Sequence, residues 1–377
     1  MEHSRGTRSR FLFLALLLVA LLGALAVFGC GEKPTTAPLA TSIDSPSGVT
    51  VLRTDAASVQ AVVRVQDRHN ADLMRIPGVV GVGTSADEAG KPVIRIFTER
   101  QLDRLPIDIE GVRVIQQVTG RIIAHKGGGG GVSHTALQTP PISLGCSGGP
   151  TLDIANGFCC GGTLGALVTK GGNQYILSNS HVFAGDVVSG GNGRTSQIGD
   201  DVTQPGLIDI GCVASNGQVV ADVSSLSTTF PPNSTPNVDC SIAQVRAGMV
   251  RTDGAILEVG TISSSTVGAS VGQGVKKSGR TTGLTRSTVN SVNVTVTVGY
   301  TDECGGTSYT KQYTGQIFIN NRGDKFQNSG DSGSLLLEDV NTNPRAVGLC
   351  FAGGGGIAVA NPIGPVLSQL GATMVGN

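Results

Sequence analysis

From Thr163 to the C-terminus the chain runs in short apolar stretches, at residues 164–168, 175–177, 219–223, 241–245, 256–262, 292–298, 316–319, 335–337 and 346–351. Each is closed by Gly, Asn, Asp, Ser or Pro. Stretches this short and this rich in Val, Ile and Thr cannot sustain helices but suit strands joined by tight turns. The 56 glycines supply the turns, and the pattern predicts a mainly β architecture. Residues 362–370 read as a short terminal helix.

Three residues within this β-rich region combine into one chemistry. His181 follows the apolar run Ile176-Leu177 and small polar residues, and Asp239 precedes the apolar Ile242-Ala243. Ser332 sits between glycines in Gly330-Asp331-Ser332-Gly333, ahead of Leu335-Leu336-Leu337. A serine hydroxyl needs a positioned base before it attacks a carbonyl, and imidazole can take the proton and return it to the leaving group. A carboxylate behind the ring fixes its tautomer and stabilises the imidazolium. Backbone N–H groups at Gly330 and Ser332 suit an oxyanion hole, where one donor is worth about 3–4 kcal/mol. Asp209, Asp222 and Asp253 are rivals for the acid. Asp239 is preferred because its neighbours place it at the edge of a buried strand. His134 and His125 flank a glycine run and are expected to be solvated.

These segments, in the order His, Asp, Ser, resemble the chymotrypsin-like serine peptidases, in particular the bacterial trypsin-like branch related to alpha-lytic protease and streptogrisin. Lys277-Ser278-Gly279-Arg280-Thr281-Thr282-Gly283 is similar to a signature of that branch. The resemblance implies a chymotrypsin-like double β-barrel over residues 146–377, with His181 and Asp239 on the first barrel and Ser332 on the second. It also implies that Arg280 pairs with Asp331 and supports the oxyanion loop. Phe326, six residues before the serine, replaces the aspartate that selects basic side chains. With Phe351, Ala352 and Gly353 it is expected to line a pocket for small or medium apolar side chains.

The N-terminal part carries other signals. Arg5, Arg8 and Arg10 precede an apolar run over residues 11–28, the pattern of an export signal over residues 1–29. Cys30 follows Gly29 in a setting that resembles a bacterial lipobox, so residues 30–50 are expected to form a lipid-anchored tether at a membrane. An uncut spanning helix is the rival reading. Residues 56–76 carry Val59, Val62, Val63, Val65, Leu73 and Ile76 at helical spacing, and residues 78–83, 93–97 and 112–123 read as strands. Residues 51–125 are therefore expected to form a small α+β domain, either a pro-segment or a spacer. The run from Gly127 to Gly131 makes residues 126–145 a linker and lacks the Gly-Lys-Ser/Thr ending of a phosphate-binding loop.

Charge and cysteines bound the rest. Formal net charge is +0 and only 14% of residues are charged, so nothing suggests an electrostatic hold on nucleic acid. The eight cysteines less Cys30 leave seven: Cys146, Cys159, Cys160, Cys212, Cys240, Cys304 and Cys350. An exported chain permits disulfides, at least one of the seven is free or pairs elsewhere, and no paired Cys-x-x-Cys spacing points to zinc. The sequence thus predicts an extracytoplasmic serine endopeptidase acting on polypeptides without metal or cofactor. An inactive homologue serving as an envelope binding module, and an anchored scaffold that cuts only itself, are the alternatives.

Overall fold

The computed structural model describes residues 51–124, 132–155, 158–184, 196–225, 237–300 and 309–377. The export segment, Cys30, the tether, His125, the glycine run and Cys304 lie outside the described residues. No described helix is long and apolar enough to cross a membrane.

Short strands and glycine turns build two curled, mostly antiparallel sheets, a mainly β fold resembling the chymotrypsin double barrel. The first sheet runs Thr373–Met374, Ala166–Lys170, Asn173–Ser178, Ser241–Val245, Gln218–Ser225, Asp201–Gln204, Cys146–Pro150 and Gly162–Leu164. Its interior holds Leu167, Ile176, Leu177, Val202, Val220, Ile242 and Phe183. Each such side chain, once fully buried, stabilises the fold by roughly 1.5–3 kcal/mol. Phe183, fully buried, anchors the single helical turn Ser180–Phe183 that carries His181.

The second sheet contains a closed ring. Gly274–Gly279, Leu335–Glu338, Ala346–Gly354, Ile357–Pro362, Tyr309–Asn320 and Gly283–Tyr300 pair in that order, and Gly283–Tyr300 returns to pair with Gly274–Gly279. Gly283–Tyr300 is long enough to serve two purposes. Its first half closes the ring, and its second half, beyond irregular pairing around Asn293, receives Val79–Ala86. The N-terminal region accordingly continues the barrel sheet, through Val79–Ala86, Pro92–Thr98 and Val112–Val118. It keeps a core of its own, in which Val62, Val65 and Leu73 of the helix Ala57–Met74 cover Val82, Ile94 and Ile96. Buried Gln66 ties helix to sheet by accepting from Thr84 Oγ1 at 2.7 Å and donating to Asn293 O at 2.7 Å. Val79–Ala86 is buried on both faces, which an edge strand of an isolated domain is not, and Gly83 explains the close contact. A Cβ there would lie 2.7 Å from Val294 Cγ2.

One expected strand is absent. Residues 256–262 instead form a turn closed by Ile256 N to Gly260 O at 3.0 Å and Gly260 N to Ile256 O at 2.8 Å. Glu258 and Gly260 both take positive φ, 62° and 82°, which breaks a strand whatever its hydropathy. The terminal helix spans Ile363–Leu370 and ends at Gly371, φ 61°.

Cys159 and Cys212 form a disulfide across a separation of 53 residues, and Cys160 is disulfide-bonded as well. Closing a loop of that size stabilises by about 4 kcal/mol in the chain-entropy picture. Cys146, Cys240 and Cys350 are buried free thiols. Burial pushes Cys146 and Cys350 up to about 12, so both stay protonated and unreactive at neutral pH.

Candidate active site

The strand Asn173–Ser178 becomes progressively buried toward its C-terminal end, delivering His181 to the interior. Asp239, fully buried, arrives from the start of Ser241–Val245, which pairs with that strand. His181 Nδ1 lies 2.6 Å from Asp239 Oδ2. The other carboxylate oxygen accepts from the backbone N–H of Ser180 at 2.7 Å and of His181 at 3.2 Å. Tyr300 OH donates to Oδ2 at 3.0 Å, and Asn179 Nδ2 donates to the Asp239 carbonyl at 2.7 Å. Burial alone would raise the Asp239 carboxyl. Interaction with the His181 ring and these hydrogen bonds outweigh it and hold the group below the ordinary carboxylate range. Asp239 is therefore an anion with acceptors only, so the proton on the facing nitrogen is His181 Nδ1–H. Nε2 is left as an acceptor, buried and without a hydrogen-bond partner among the described residues.

Ser332 approaches from the second barrel. Gly330 and Gly333, at φ 92° and 95°, turn the chain on either side of it in a conformation that L side chains rarely adopt. The loop is fixed to the first barrel by Thr163 N, which donates to Ser332 O at 2.9 Å, and by Thr163 Oγ1, which donates to Gly330 O at 2.9 Å. Gly162, next to Thr163, marks where the two barrels meet. A Cβ on it would lie 2.7 Å from Val182 Cγ2 and 3.1 Å from Ser332 O. The residue after His181 and the nucleophile loop thus converge on one point. Ser332 Oγ donates to Phe351 O at 3.2 Å, not to His181 Nε2.

Two expectations are corrected. Arg280 does not pair with Asp331; among the described residues its carboxylate partner is Asp209, contacted by Nε at 2.7 Å and closely by Nη2. Asp331 instead faces Lys277, whose Nζ lies 3.3 Å from Oδ2, with both side chains fully buried. Its remaining lone pairs accept from Thr281 N at 2.9 Å, Thr282 N at 3.1 Å, Thr282 Oγ1 at 2.7 Å and Asn328 N at 3.0 Å. Burial pulls the Lys277 ammonium down and Asp331 counteracts it. The reason is directional: Lys277 projects from its strand toward the barrel interior beneath the loop, while Arg280, past the strand's end, turns across to the first barrel. Gly274–Gly279 holds one apolar residue and two adjacent lysines, so nothing in it announced that Lys277 would turn inward. His134 is likewise buried rather than solvated, with Nδ1 2.8 Å from Gly145 O and Nε2 2.6 Å from Glu258 Oε2.

The third correction concerns the pocket beside the nucleophile. A cavity reaching Ser332 is lined by Asn321, Asp324, Gln327, Asn328, Ala352, Gly353 and Gly354. Ala352 and Gly353 stand where expected; Phe326 and Phe351 do not line it. Phe326 packs into the barrel core, with the Lys277 ammonium 5.9 Å from its ring centroid. Phe351 turns inward against Tyr313, ring centroids 5.1 Å apart, leaving only its carbonyl toward Ser332. Phe351 takes the core face at an irregularity in the pairing between Cys350 and Ala352, and Phe326 turns inward from the bend before the nucleophile loop. The lining is consequently carboxamide-rich rather than apolar, and among the described residues no cation lines it. Tyr300, unforeseen as a partner of the acid, closes the Val-rich 292–298 stretch. A tyrosine ending a buried run needs a polar partner, and here Asp239 and, at 2.5 Å, Tyr313 OH serve.

Among the described residues no group of three or more His, Cys, Asp or Glu side chains is arranged to hold a metal ion.

Residues 235–359 match the model of the Nal1 C-terminal domain. Glutamyl endopeptidase 2 of Streptomyces griseus is 30% identical over 193 residues, 48% of this chain and 88% of that protein. Among solved structures, a glutamic acid specific serine protease that utilizes a histidine triad in substrate binding is 22% identical with a TM-score of 0.41, covering 62% of this chain and 100% of its own. Protease A of Thermobifida fusca is 21% identical with a TM-score of 0.39, covering 63% and 99%. On the identity and extent of the Streptomyces match, the chain belongs to the same family of chymotrypsin-fold peptidases as glutamyl endopeptidase 2.

Proposed function

We propose that the protein is an exported serine endopeptidase that forms an acyl-enzyme on Ser332. The observation that carries this reading is the His181–Asp239 contact, which leaves Nε2 as a buried, unpartnered acceptor beside the nucleophile loop. For attack, Ser332 Oγ leaves the Phe351 carbonyl by rotation about χ1 and donates to Nε2. Its oxygen adds to the scissile carbonyl while the proton passes to His181, and the N–H groups of Gly330 and Ser332 bind the oxyanion. Collapse breaks the C–N bond, with His181 protonating the leaving amine. A water molecule, deprotonated by the same ring, then releases the acyl group. Asp239 stays ionised throughout. Asp331, held by Lys277, and Arg280, held by Asp209, position the loop.

Labelling of the purified protein by a fluorophosphonate tests this. Labelling should require both Ser332 and His181; retention of full labelling in His181→Ala would sink the reading.

Substrate choice departs from the glutamyl specificity in the relative's name. A glutamate side chain entering the cavity would meet Asp324 and no described cation. Two carboxylates about 4 Å apart repel by roughly 1 kcal/mol in water and about 4 kcal/mol in a partly screened site. Matched peptides with Gln or Glu on the acyl side of the cut bond should therefore differ by about fivefold or more in kcat/KM, Gln faster. Equal rates, or faster cleavage after Glu, would remove Asp324 from the pocket argument.

Export and anchoring rest on the basic-apolar N-terminus and Cys30, together with a disulfide that a reducing compartment would not maintain.

A further inference from the structure

The side chain of Tyr300 touches both groups behind the nucleophile. Its hydroxyl donates to Asp239 Oδ2 at 3.0 Å, the oxygen that also faces His181 Nδ1 at 2.6 Å. Its ring meets the imidazole edge to face, with centroids 5.9 Å apart and planes at 67°. A stack with Tyr309, centroids 5.1 Å apart and 7° from parallel, fixes the plane of the Tyr300 ring. Behind it lies Tyr313, fully buried, with its hydroxyl oxygen 2.5 Å from that of Tyr300.

Counting protons gives this contact a direction. Tyr300 carries one hydroxyl hydrogen, and that hydrogen goes to Asp239, which as an anion can only accept. The hydrogen between the two tyrosine oxygens therefore belongs to Tyr313. Burial pushes both phenols well above their usual range, so both stay protonated and remain donors. The order is Tyr313 O–H to Tyr300 O–H to Asp239 Oδ2, with His181 Nδ1–H the second donor to the same oxygen. A donor that itself accepts a hydrogen bond is polarised and bonds more strongly, so Tyr313 reaches the acid through Tyr300.

Two further ionisable groups face the acid from the elements packed around it. Burial pulls the Lys311 ammonium down and the Asp239 charge pushes it up; its Nζ lies 5.0 Å from the Tyr313 ring centroid. Burial and the Asp239 charge both push the Cys240 thiol up, so it stays neutral. Phe351, whose carbonyl holds the Ser332 hydroxyl, packs its ring on Tyr313.

We infer that Tyr300, and Tyr313 through it, are positioning residues for the acid: they hold the carboxylate against Nδ1–H and share the charge of Oδ2, moderating its pull on the imidazole. The inference rests on the peptidase reading above, in which neutral His181 is the base. Its sign follows directly. Without the Tyr300 hydroxyl, more of the carboxylate charge is left to stabilise the imidazolium, so more of the enzyme is protonated at a given pH. The acid limb of kcat/KM then moves to higher pH.

Tyr300→Phe, Tyr313→Phe and the double variant test this. Two quantities are read: the pH dependence of kcat/KM on one peptide, and the proton NMR resonance of His181 Nδ1–H, identified by its loss in His181→Ala. Tyr300→Phe should move the acid limb up by about half a pH unit or more and shift the resonance downfield as the bond to Oδ2 tightens. KM should hold, because neither tyrosine lines the cavity at Ser332. Tyr313→Phe should move both readouts the same way by less. The double variant should match Tyr300→Phe, since Tyr313 then has no route to the acid. It also keeps the test open if Tyr300→Phe misfolds, because it removes the Tyr313 hydroxyl that the single change strands. A folded Tyr300→Phe that cleaves peptide with limb and resonance unmoved overturns the inference, even if it melts lower, and leaves the peptidase reading intact. Shifts from the two tyrosines that simply add also overturn it. A parent inert to peptide and to fluorophosphonate sinks the peptidase reading, and the resonance, which needs no turnover, then decides the inference by itself.

Discussion

Ser332→Ala should lower kcat/KM for a peptide substrate by roughly 10⁶-fold, His181→Ala should do nearly the same, and the double variant should be no slower than either. The argument is one of mutual dependence. Without Nε2, the Ser332 hydroxyl keeps its proton and its bond to the Phe351 carbonyl; without the hydroxyl, the imidazole has no nucleophile to activate. Either loss removes the whole proton-transfer unit, so the second deletion has nothing left to remove. Asp239→Asn should be milder, a loss of about 10⁴-fold, because it disturbs the tautomer while leaving the ring in place. In this protein the tautomer is set at the 2.6 Å contact between Nδ1 and Oδ2, which an amide nitrogen at that position would reverse. Initial rates on the three single variants and the Ser332/His181 pair, with near-ultraviolet circular dichroism as a check on packing, decide the matter. Losses that multiply in the double variant, or a His181→Ala variant within tenfold of the parent, would show that the two residues do not act as one unit.

What the sequence made legible divides along physical lines. Features encoded in a few consecutive residues could be read: the glycine-flanked serine, the short strands, and the helix Ala57–Met74 with its buried Val59, Val62 and Val65. The choice of Asp239 over its rivals also followed from local context. Asp239 lies against His181, whereas Asp209 pairs with Arg280, Asp222 with Arg246, and Asp253 with Arg251. Features decided by which way a side chain points across a strand were not readable. Phe326 and Phe351 sit at the anticipated chain positions, but both rings turn to the core, Phe326 from a bend and Phe351 from a strand, and leave the cavity to Gln327 and Asn328. Pairing between distant segments was also hidden. Nothing local to Val79–Ala86 announces that it will dock on Gly283–Tyr300, because both edges belong to one sheet only once the chain has folded.

Lys277→Met should destabilise the fold by about 3–5 kcal/mol, the range for removing one partner of a buried ion pair. In a chain of this size that is a fall in Tm on the order of 10 °C. The cost arises from what stays behind, since Asp331 is fully buried and would be left with hydrogen-bond donors but no counter-ion. Asp331→Asn alone should be less severe, because Lys277 retains the Gly283 carbonyl at 3.2 Å and the Thr282 hydroxyl as acceptors. Joining the two changes should restore part of the stability, as neither charge is then left alone. Activity should not follow stability. Asp331 adjoins Ser332 and fixes the loop through Thr281, Thr282 and Asn328, so the double variant should regain Tm while kcat stays low. Arg280→Met offers the contrast, since its loss exposes Asp209 and the Ser147 hydroxyl bonded to it at 2.5 Å, a contact on the first barrel. Thermal unfolding of the four variants, with kcat measured well below each transition, separates the two clamps. If Lys277→Met melted within a degree or two of the parent while the double variant melted lower, the ammonium beneath the nucleophile loop would not be what holds Asp331.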